Sequence, residues 1–409
     1  MTVASSLSAY DPAVVTDFLL FGVTLACVAI FHRHTLAAAL TGLGAIILKK
    51  LLWDGFDQGA GLSGLLAHFA HEWVLLANLF LLLVGFALLA RHFEASRIPD
   101  WMPVILPDDW RGAFALLVLI FVISAFLDNI AGALIGATVA GHVFKDRVRV
   151  GYLAAIVAAA NAGGAGSAIG DTTTTMLWLG GVSPLALLNA YVAAVAAFIV
   201  FAIPASLAQH KFAPIVKDAP PDLSIAFRYV VAVVIVLAAA VAANVGAHWL
   251  DAQLLKQIPL IGLAVAAALI LCAPFAKPDL SIIPRAARGA LFLLALVSAA
   301  SMMPVKSLPA PSWETTFGLG FFSAVFDNIP LTALAMKQDD YDWALLAYAV
   351  GFGGSMIWFG SSAGVAVAGL MPEARSSLRW LREGWPVAVA YVVGFFVMLA
   401  LLGWKPENI

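Results

Sequence analysis

The sequence predicts an all-α polytopic membrane protein made of two inverted-topology repeats, each with a re-entrant hairpin and a discontinuous helix, about ten spans and two hairpins in all. Three observations predict it. Of 409 residues, 63% are hydrophobic and only 11% charged, against roughly 25% charged in a soluble domain. The apolar residues fall into runs near the length, about 20 residues, that a helix needs to cross a hydrocarbon core about 30 Å thick. Two polar motifs that interrupt those runs occur twice, in the same order.

In chain order, the first half (residues 1–210) opens with apolar runs at 13–31, 35–53 and 72–90. No Lys or Arg precedes the first run and no small-residue cleavage site follows it, so it is expected to be a retained span rather than a signal peptide. A hairpin is expected over 113–141, where Asp128-Asn129 interrupts apolar sequence. A broken helix follows over 151–180, where NAGGAGSAIG leads into DTTTT, and a final span covers 185–208. The second half (211–409) repeats the order: runs at 226–248, 259–275 and 288–304, a hairpin over 313–337 with Asp327-Asn328, a broken helix over 343–370, and a span at 386–403.

The repeat is explicit in the residues. SAFLDNI at 124–130 recurs as SAVFDNI at 323–329. Gly163-Gly164 with Gly170 recurs as Gly353-Gly354 with Gly360. Each half holds three spans, a hairpin that returns to its own side, a broken helix and a final span, so it crosses the membrane five times; the copies therefore begin on opposite sides and are inverted. Secondary transporters use this architecture, because irregular backbone is tolerated at membrane depth only where it is buried in protein or lines a wet cavity.

Charge sets the orientation. With the N-terminus outside and each hairpin returning to its own side, sixteen Lys and Arg fall in inside loops, among them Arg33, Arg91, Arg97, Lys145, Lys217 and Arg285. Only Lys256, Lys306, Lys337 and Lys405 fall outside, as the positive-inside rule requires. Both termini are then extracytoplasmic, in a multi-pass protein of the cytoplasmic (inner) membrane. Lys49 and Lys50, near the end of the second span, are expected to snorkel to the outer interface. Asp17, Glu72, Asn78, Asn189 and Asn244 are expected at interfaces or in interhelical hydrogen bonds.

The net charge of -2 offers no basic surface for nucleic acid, and Cys27 and Cys272 read as core residues rather than a disulfide. There is no phosphate-binding loop for an ATP-driven pump, no nucleophile and base pairing, and no Cys or His cluster with metal spacing, so the chain does not read as an enzyme and no cofactor is expected.

What remains is a set of buried carboxylates and oxygens. An Asp at the centre of a span is unfavourable by about 2.5–3.5 kcal/mol, so the duplicated Asp128 and Asp327 need a reason to be there. Capping the returning helix is one, and ion binding is another; the two can coexist. Asp171, opposite Ser361 in the other half, is either an ordinary N-cap with Thr172 or a third ion-binding carboxylate. Neutral oxygens accompany them: Asn129, Asn161, Ser167, Thr172 and Thr173 in the first half, and Asn328, Ser355, Ser361 and Ser362 in the second. Hard cations prefer oxygen ligands.

AANAGGAGSAIGDTTTTMLWLGG (159–181), SAVFDNIP (323–330) and AYAVGFGGSMIWFGSSAGVAVAGL (347–370) resemble motifs of the NhaD-type sodium/proton antiporters. The wider group is the ion transporter superfamily, which also holds arsenite pumps and citrate carriers. The resemblance covers most of the chain from about 113 to 400. It implies a homodimer in which scaffold helices hold an elevator-like transport domain of two hairpins and two broken helices. In the di- and tricarboxylate members the hairpin tips carry Ser-Asn-Thr, which coordinates sodium and the substrate carboxylate. Here the tips read Asp128-Asn129-Ile130 and Asp327-Asn328-Ile329, and the added negative charges suit a bare cation exchanged for protons better than a polyanion.

The expected function is therefore exchange of sodium or lithium for protons, with Asp128, Asp171 and Asp327 holding the transported cation or a proton. The alternatives are an ion-coupled carrier of citrate, dicarboxylate or arsenite-like anions, and a scaffold or sensor that kept the fold.

Overall fold

The computed structural model describes residues 12–31, 34–216, 224–250 and 257–408. Arg33, Lys217 and Lys256 of the loop-charge count lie outside the described residues, as does the N-terminus. Among the described residues the chain is helical, with isolated bridges at Phe56/Gly59 and Tyr341/Glu407 and no β-strand. Among the described residues, seven helices are long and apolar enough to cross a membrane.

The first half contains α1 (Pro12–Ile30), α2 (Thr35–Lys49), α3 (Gly61–Ala95), α4 (Ile98–Ile105), α5 (Trp110–Phe126), α6 (Asn129–Val143), α7 (Val150–Gly164), α8 (Thr172–Gly180), α9 (Pro184–Leu187) and α10 (Ala190–Phe212). The second contains α11 (Phe227–Leu250), α12 (Leu260–Cys272), α13 (Ile283–Ser301), α14 (Trp313–Ser323), α15 (Asn328–Gln338), α16 (Trp343–Gly353), α17 (Ser362–Leu370) and α18 (Ser377–Leu402). The expected hairpins are thus the pairs α5/α6 and α14/α15, and the expected broken helices are α7/α8 and α16/α17.

Burial follows composition. α7 and α16 are apolar on every side and nearly every residue in them is buried, as a helix with no polar stripe must be. They sit at the centre of the larger core with α5, α6, α10 and α18. A second core joins α1, α2, part of α3 and α13. α10 lies along α18, where small residues let the backbones close in: a Cβ at Gly394 would stand 2.5 Å from the Ala193 carbonyl. Buried tyrosines keep their hydroxyls satisfied on carbonyl oxygens, Tyr152 on Ala113 at 2.6 Å and Tyr391 on Phe317 at 2.7 Å.

Loops expected on one side pair with each other. Arg91 reaches Asp279 at 3.3 Å and Arg149 reaches Glu383 at 3.5 Å, both between loops expected inside. Lys337 meets Asp57 at 2.9 Å, and Trp343 Nε1 donates to the Glu407 carbonyl at 2.6 Å, between loops expected outside.

Two elements differ from the expectations. The third run extends from Gly61 to Ala95, 35 residues, a helix about 50 Å long at 1.5 Å per residue. Lys49 and Lys50 turn inward instead of snorkelling: Lys49 Nζ lies 2.6 Å from Asp17 Oδ1 and 3.0 Å from the Ala13 carbonyl, and Lys50 Nζ lies 2.8 Å from Asp17 Oδ2. The paired carboxylate lowers the free energy of both ammonium groups where the apolar stems alone would only carry them past lipid. Asn78 makes an interhelical bond as expected, accepting from Gly262 N at 2.9 Å.

Candidate functional site

The site is built where two helix pairs and two broken helices meet. α5 ends at Leu127 and α6 restarts at Asn129, leaving Asp128 as N-cap with φ -53° and ψ 141°. The second pair turns in the same way: Asp327 caps α15 with φ -51° and ψ 141°. Pro330 sits in the first turn of α15, where its missing N–H leaves no bond unmade.

The two breaks also match. A Cβ at Gly163 would enter the Phe121 carbonyl, and one at Gly353 the Gly320 carbonyl. At Gly164 it would lie 2.5 Å from Gly170 O, and at Gly354 2.7 Å from Gly360 O. Gly170 and Gly360 in turn abut the carbonyls of Ser124 and Ala324, at the ends of α5 and α14. Only residues without a side chain let each break pass this close to the neighbouring backbone.

α8 begins after Asp171 and α17 after Ser361, both in extended conformation. The equivalent caps do different work. Ser361 Oγ accepts from Gly364 N at 3.2 Å, an ordinary capping bond. Asp171 makes no side-chain capping bond. Its carboxylate, 2% exposed, faces the tips instead, accepting from Asn129 Nδ2 at 2.8 Å and standing 3.4–3.5 Å from Asn328 Nδ2.

The amides extend the network. Asn129 Nδ2 also donates to Asn161 Oδ1 at 3.0 Å, and Asn161 Nδ2 donates to Ser355 Oγ at 2.9 Å and Ser361 Oγ at 3.3 Å. Residues from both halves therefore form one connected cluster. Asp327 stands at its edge, one oxygen accepting from Ile329 N at 3.2 Å and the other from Ser362 Oγ at 3.1 Å.

Asp128 and Asp171 share a cavity of about 20 Å³ with Thr172 and Thr175, closed on the far side by Leu82, Leu83 and Phe86 of α3. One water-sized guest needs about 10–15 Å³. Thr173 Oγ1 and Ser124 Oγ are buried with no hydrogen-bond partner among the described residues. Ser167 does not join the cluster; its hydroxyl accepts from Ile169 N at 3.4 Å inside the break.

Sequence reasoning missed Thr175 and the α3 wall. Thr175 stands in the DTTTT run, and its hydroxyl donates to the Asp171 carbonyl at 2.9 Å. The wall residues carry no local signal, being ordinary members of an apolar run.

No family model matches the chain. A protein of Arabidopsis thaliana named sodium/proton antiporter 1 is 26% identical over 393 residues, covering 86% of this chain and 66% of that protein. The Na(+)/H(+) antiporter NhaD of Vibrio cholerae is 26% identical over 337 residues, 69% of each chain. The NhaD of Vibrio parahaemolyticus is 28% identical over 295 residues, 61% of this chain and 71% of that one. The chain is thus similar in sequence to sodium/proton antiporters of the NhaD type. It spans 66% of the Arabidopsis protein and 69% of the Vibrio cholerae one. These NhaD-type relatives are named as transporters, not as enzymes.

Proposed function

We propose that the chain is a secondary active transporter that exchanges sodium or lithium for protons across the cytoplasmic membrane by elevator-type alternating access. The observation that carries this reading is the Asp128/Asp171 cavity, which has room for one small ion and is lined by two carboxylates and two threonines. Two of the acceptor positions on Asp171 face Asn129 and Asn328. A cation or a proton would compete with these donors for the same two oxygens. Both cannot be held at once, and that competition couples the two fluxes. The buried hydroxyl of Thr173, beside Asp171, is a further oxygen close to the cavity.

In this reading the two halves are inverted copies, and α5/α6 and α14/α15 are re-entrant hairpins. The matched cap angles at Asp128 and Asp327 and the matched glycine approaches support it. The moving unit comprises these hairpins with α7/α8 and α16/α17. Two cavities along α6 and α17 suit an inward-open state: one of about 460 Å³ reaches Asp327 and Ser362 and has Arg285 in its lining, and the other, about 700 Å³, includes Arg91 and Arg97. All three arginines belong to loops or helix ends expected on the cytoplasmic side. The protein is read as a homodimer in the bilayer with both termini extracytoplasmic, as the resemblance and the basic loops imply. An anion carrier is disfavoured by the neighbouring carboxylates and by the lack of Lys or Arg in the small cavity.

In everted vesicles carrying the chain, added sodium should collapse a preformed proton gradient read by a pH-sensitive dye. Asp171→Asn should abolish the collapse; a response equal to wild type would overturn the role given to Asp171.

A further inference from the structure

The cavity that reaches Asp327 is far larger than a sodium ion requires. At about 460 Å³ it falls within the range of about 300–1,000 Å³ typical of small-molecule sites. Its wall is mainly apolar, formed by Leu25 and Val28 of α1, Phe292 and Leu296 of α13, and Phe326 and Phe359 from the tip and the second break. The polar end is Asp327 with Ser362. Each Asp327 oxygen accepts one hydrogen bond, from Ile329 N and Ser362 Oγ, and Asp327 makes no ion pair among the described residues. About two of its four acceptor positions therefore remain open. Arg285 lines the same cavity from the first turn of α13, but it is exposed to solvent and makes no ion pair among the described residues. The unneutralised charge inside the apolar space is the carboxylate.

An apolar chamber of this size with one carboxylate selects a ligand of matching form. We infer that it binds an amphiphilic organic monocation, a primary ammonium on an aromatic or aliphatic body. The ammonium supplies three donors for Asp327 and Ser362, and the body replaces water against the phenylalanines and leucines. Such a ligand is a blocker and not a cargo, because the enclosed space beside Asp128 and Asp171 is only about 20 Å³. Binding rests on the cavity alone; blocking also rests on the proposed exchange function and on the part expected of Asp327 in holding the cation or a proton.

The test titrates 4-phenylbutylammonium into the full chain in lipid nanodiscs without sodium, by calorimetry, with 4-phenylbutanol as the neutral counterpart. The ammonium should bind at least tenfold more tightly than the alcohol, and Asp327→Asn should erase that difference. Gly289→Leu fills the chamber from a position where an added Cβ meets nothing within 4 Å, so it should keep the wild-type melting temperature and weaken the ammonium at least tenfold. Equal affinity for the two probes, or ammonium binding unchanged in both variants, overturns the site. In proteoliposomes the ammonium should raise the sodium concentration for half-maximal exchange. Intact binding without that rise overturns the blocking role while leaving the site in place.

Discussion

Asn129 Nδ2 lies 2.8 Å from Asp171 Oδ1, which ties the tip of one helix pair to the carboxylate that begins α8. The matching amide of the other tip, Asn328, stands farther off at 3.4 and 3.5 Å. A hydrogen bond to a charged group contributes about 1.5–3 kcal/mol, which corresponds to roughly ten- to a hundredfold in affinity. Asn129→Ala should raise the sodium concentration for half-maximal exchange by that order, and Asn328→Ala by clearly less. Sodium titrations of both variants in proteoliposomes check the ranking; equal effects would show that the shorter bond is not the one that positions Asp171.

The glycines at the breaks make a separate prediction about stability. An alanine at Gly163 or Gly353 drives its Cβ into a backbone carbonyl, of Phe121 or Gly320, which cannot rotate away. Overpacking of this kind destabilises by about 1–3 kcal/mol, and both variants should melt below wild type in detergent. Gly44→Ala is the control, because nothing lies within 4 Å of its added Cβ. Should Gly163→Ala melt with the wild type, the close crossing of α5 and α7 is not required for the fold.

The breaks were legible because glycine and carboxylate inside apolar runs are unfavourable unless something offsets them, and they occur twice. The pairing at Asp17 was not. Its partners Lys49 and Lys50 lie beyond the next loop, and although Asp54 close by in sequence pairs with Lys49, that neighbour does not reveal that both ammonium groups also reach Asp17 on α1. The beginning of α3 was missed because His68, His71 and Glu72 interrupt the hydropathy; the helix continues, and His68 bonds to Gln58 and Ser301. Ser167 shows the remaining limit. In an irregular turn, backbone angles decide which hydroxyl faces the cluster, and its residue type does not reveal them.

The Asp17 cluster is itself testable. The Asp17 carboxylate is 3% exposed and the side chains of Lys49 and Lys50 are 12% and 11% exposed. Removing one partner from a buried ion pair typically destabilises by about 3–5 kcal/mol, whereas replacing all partners with apolar residues can be neutral. Asp17→Asn should therefore lower the melting temperature strongly. Lys49 also pairs with Asp54, so Asp17→Leu combined with Lys49→Met, Lys50→Met and Asp54→Asn should recover most of the loss. If that fourfold variant melts as low as Asp17→Asn, the cluster holds α1 to α2 by something other than mutual neutralisation.

Asp57 gives a prediction in pH. Partial burial raises its carboxyl, but the hydrogen bond and charge of Lys337, 2.9 Å away, outweigh that and hold it below the ordinary value. A carboxyl lower in the folded than in the unfolded chain adds stability above the unfolded value, about pH 3.9, and loses it as pH falls through the folded value. Asp57 is 71% exposed, so the pair contributes at most about 1 kcal/mol and weakens in salt. Asp57→Asn should accordingly melt slightly below wild type at pH 7, with the gap closing below about pH 4 and in high salt. Melting curves across pH for the two proteins check this. A gap that persists at low pH would place the effect of Asp57 outside its pairing with Lys337, and so outside the only ion pair, among the described residues, that ties the end of α15 to the segment before α3.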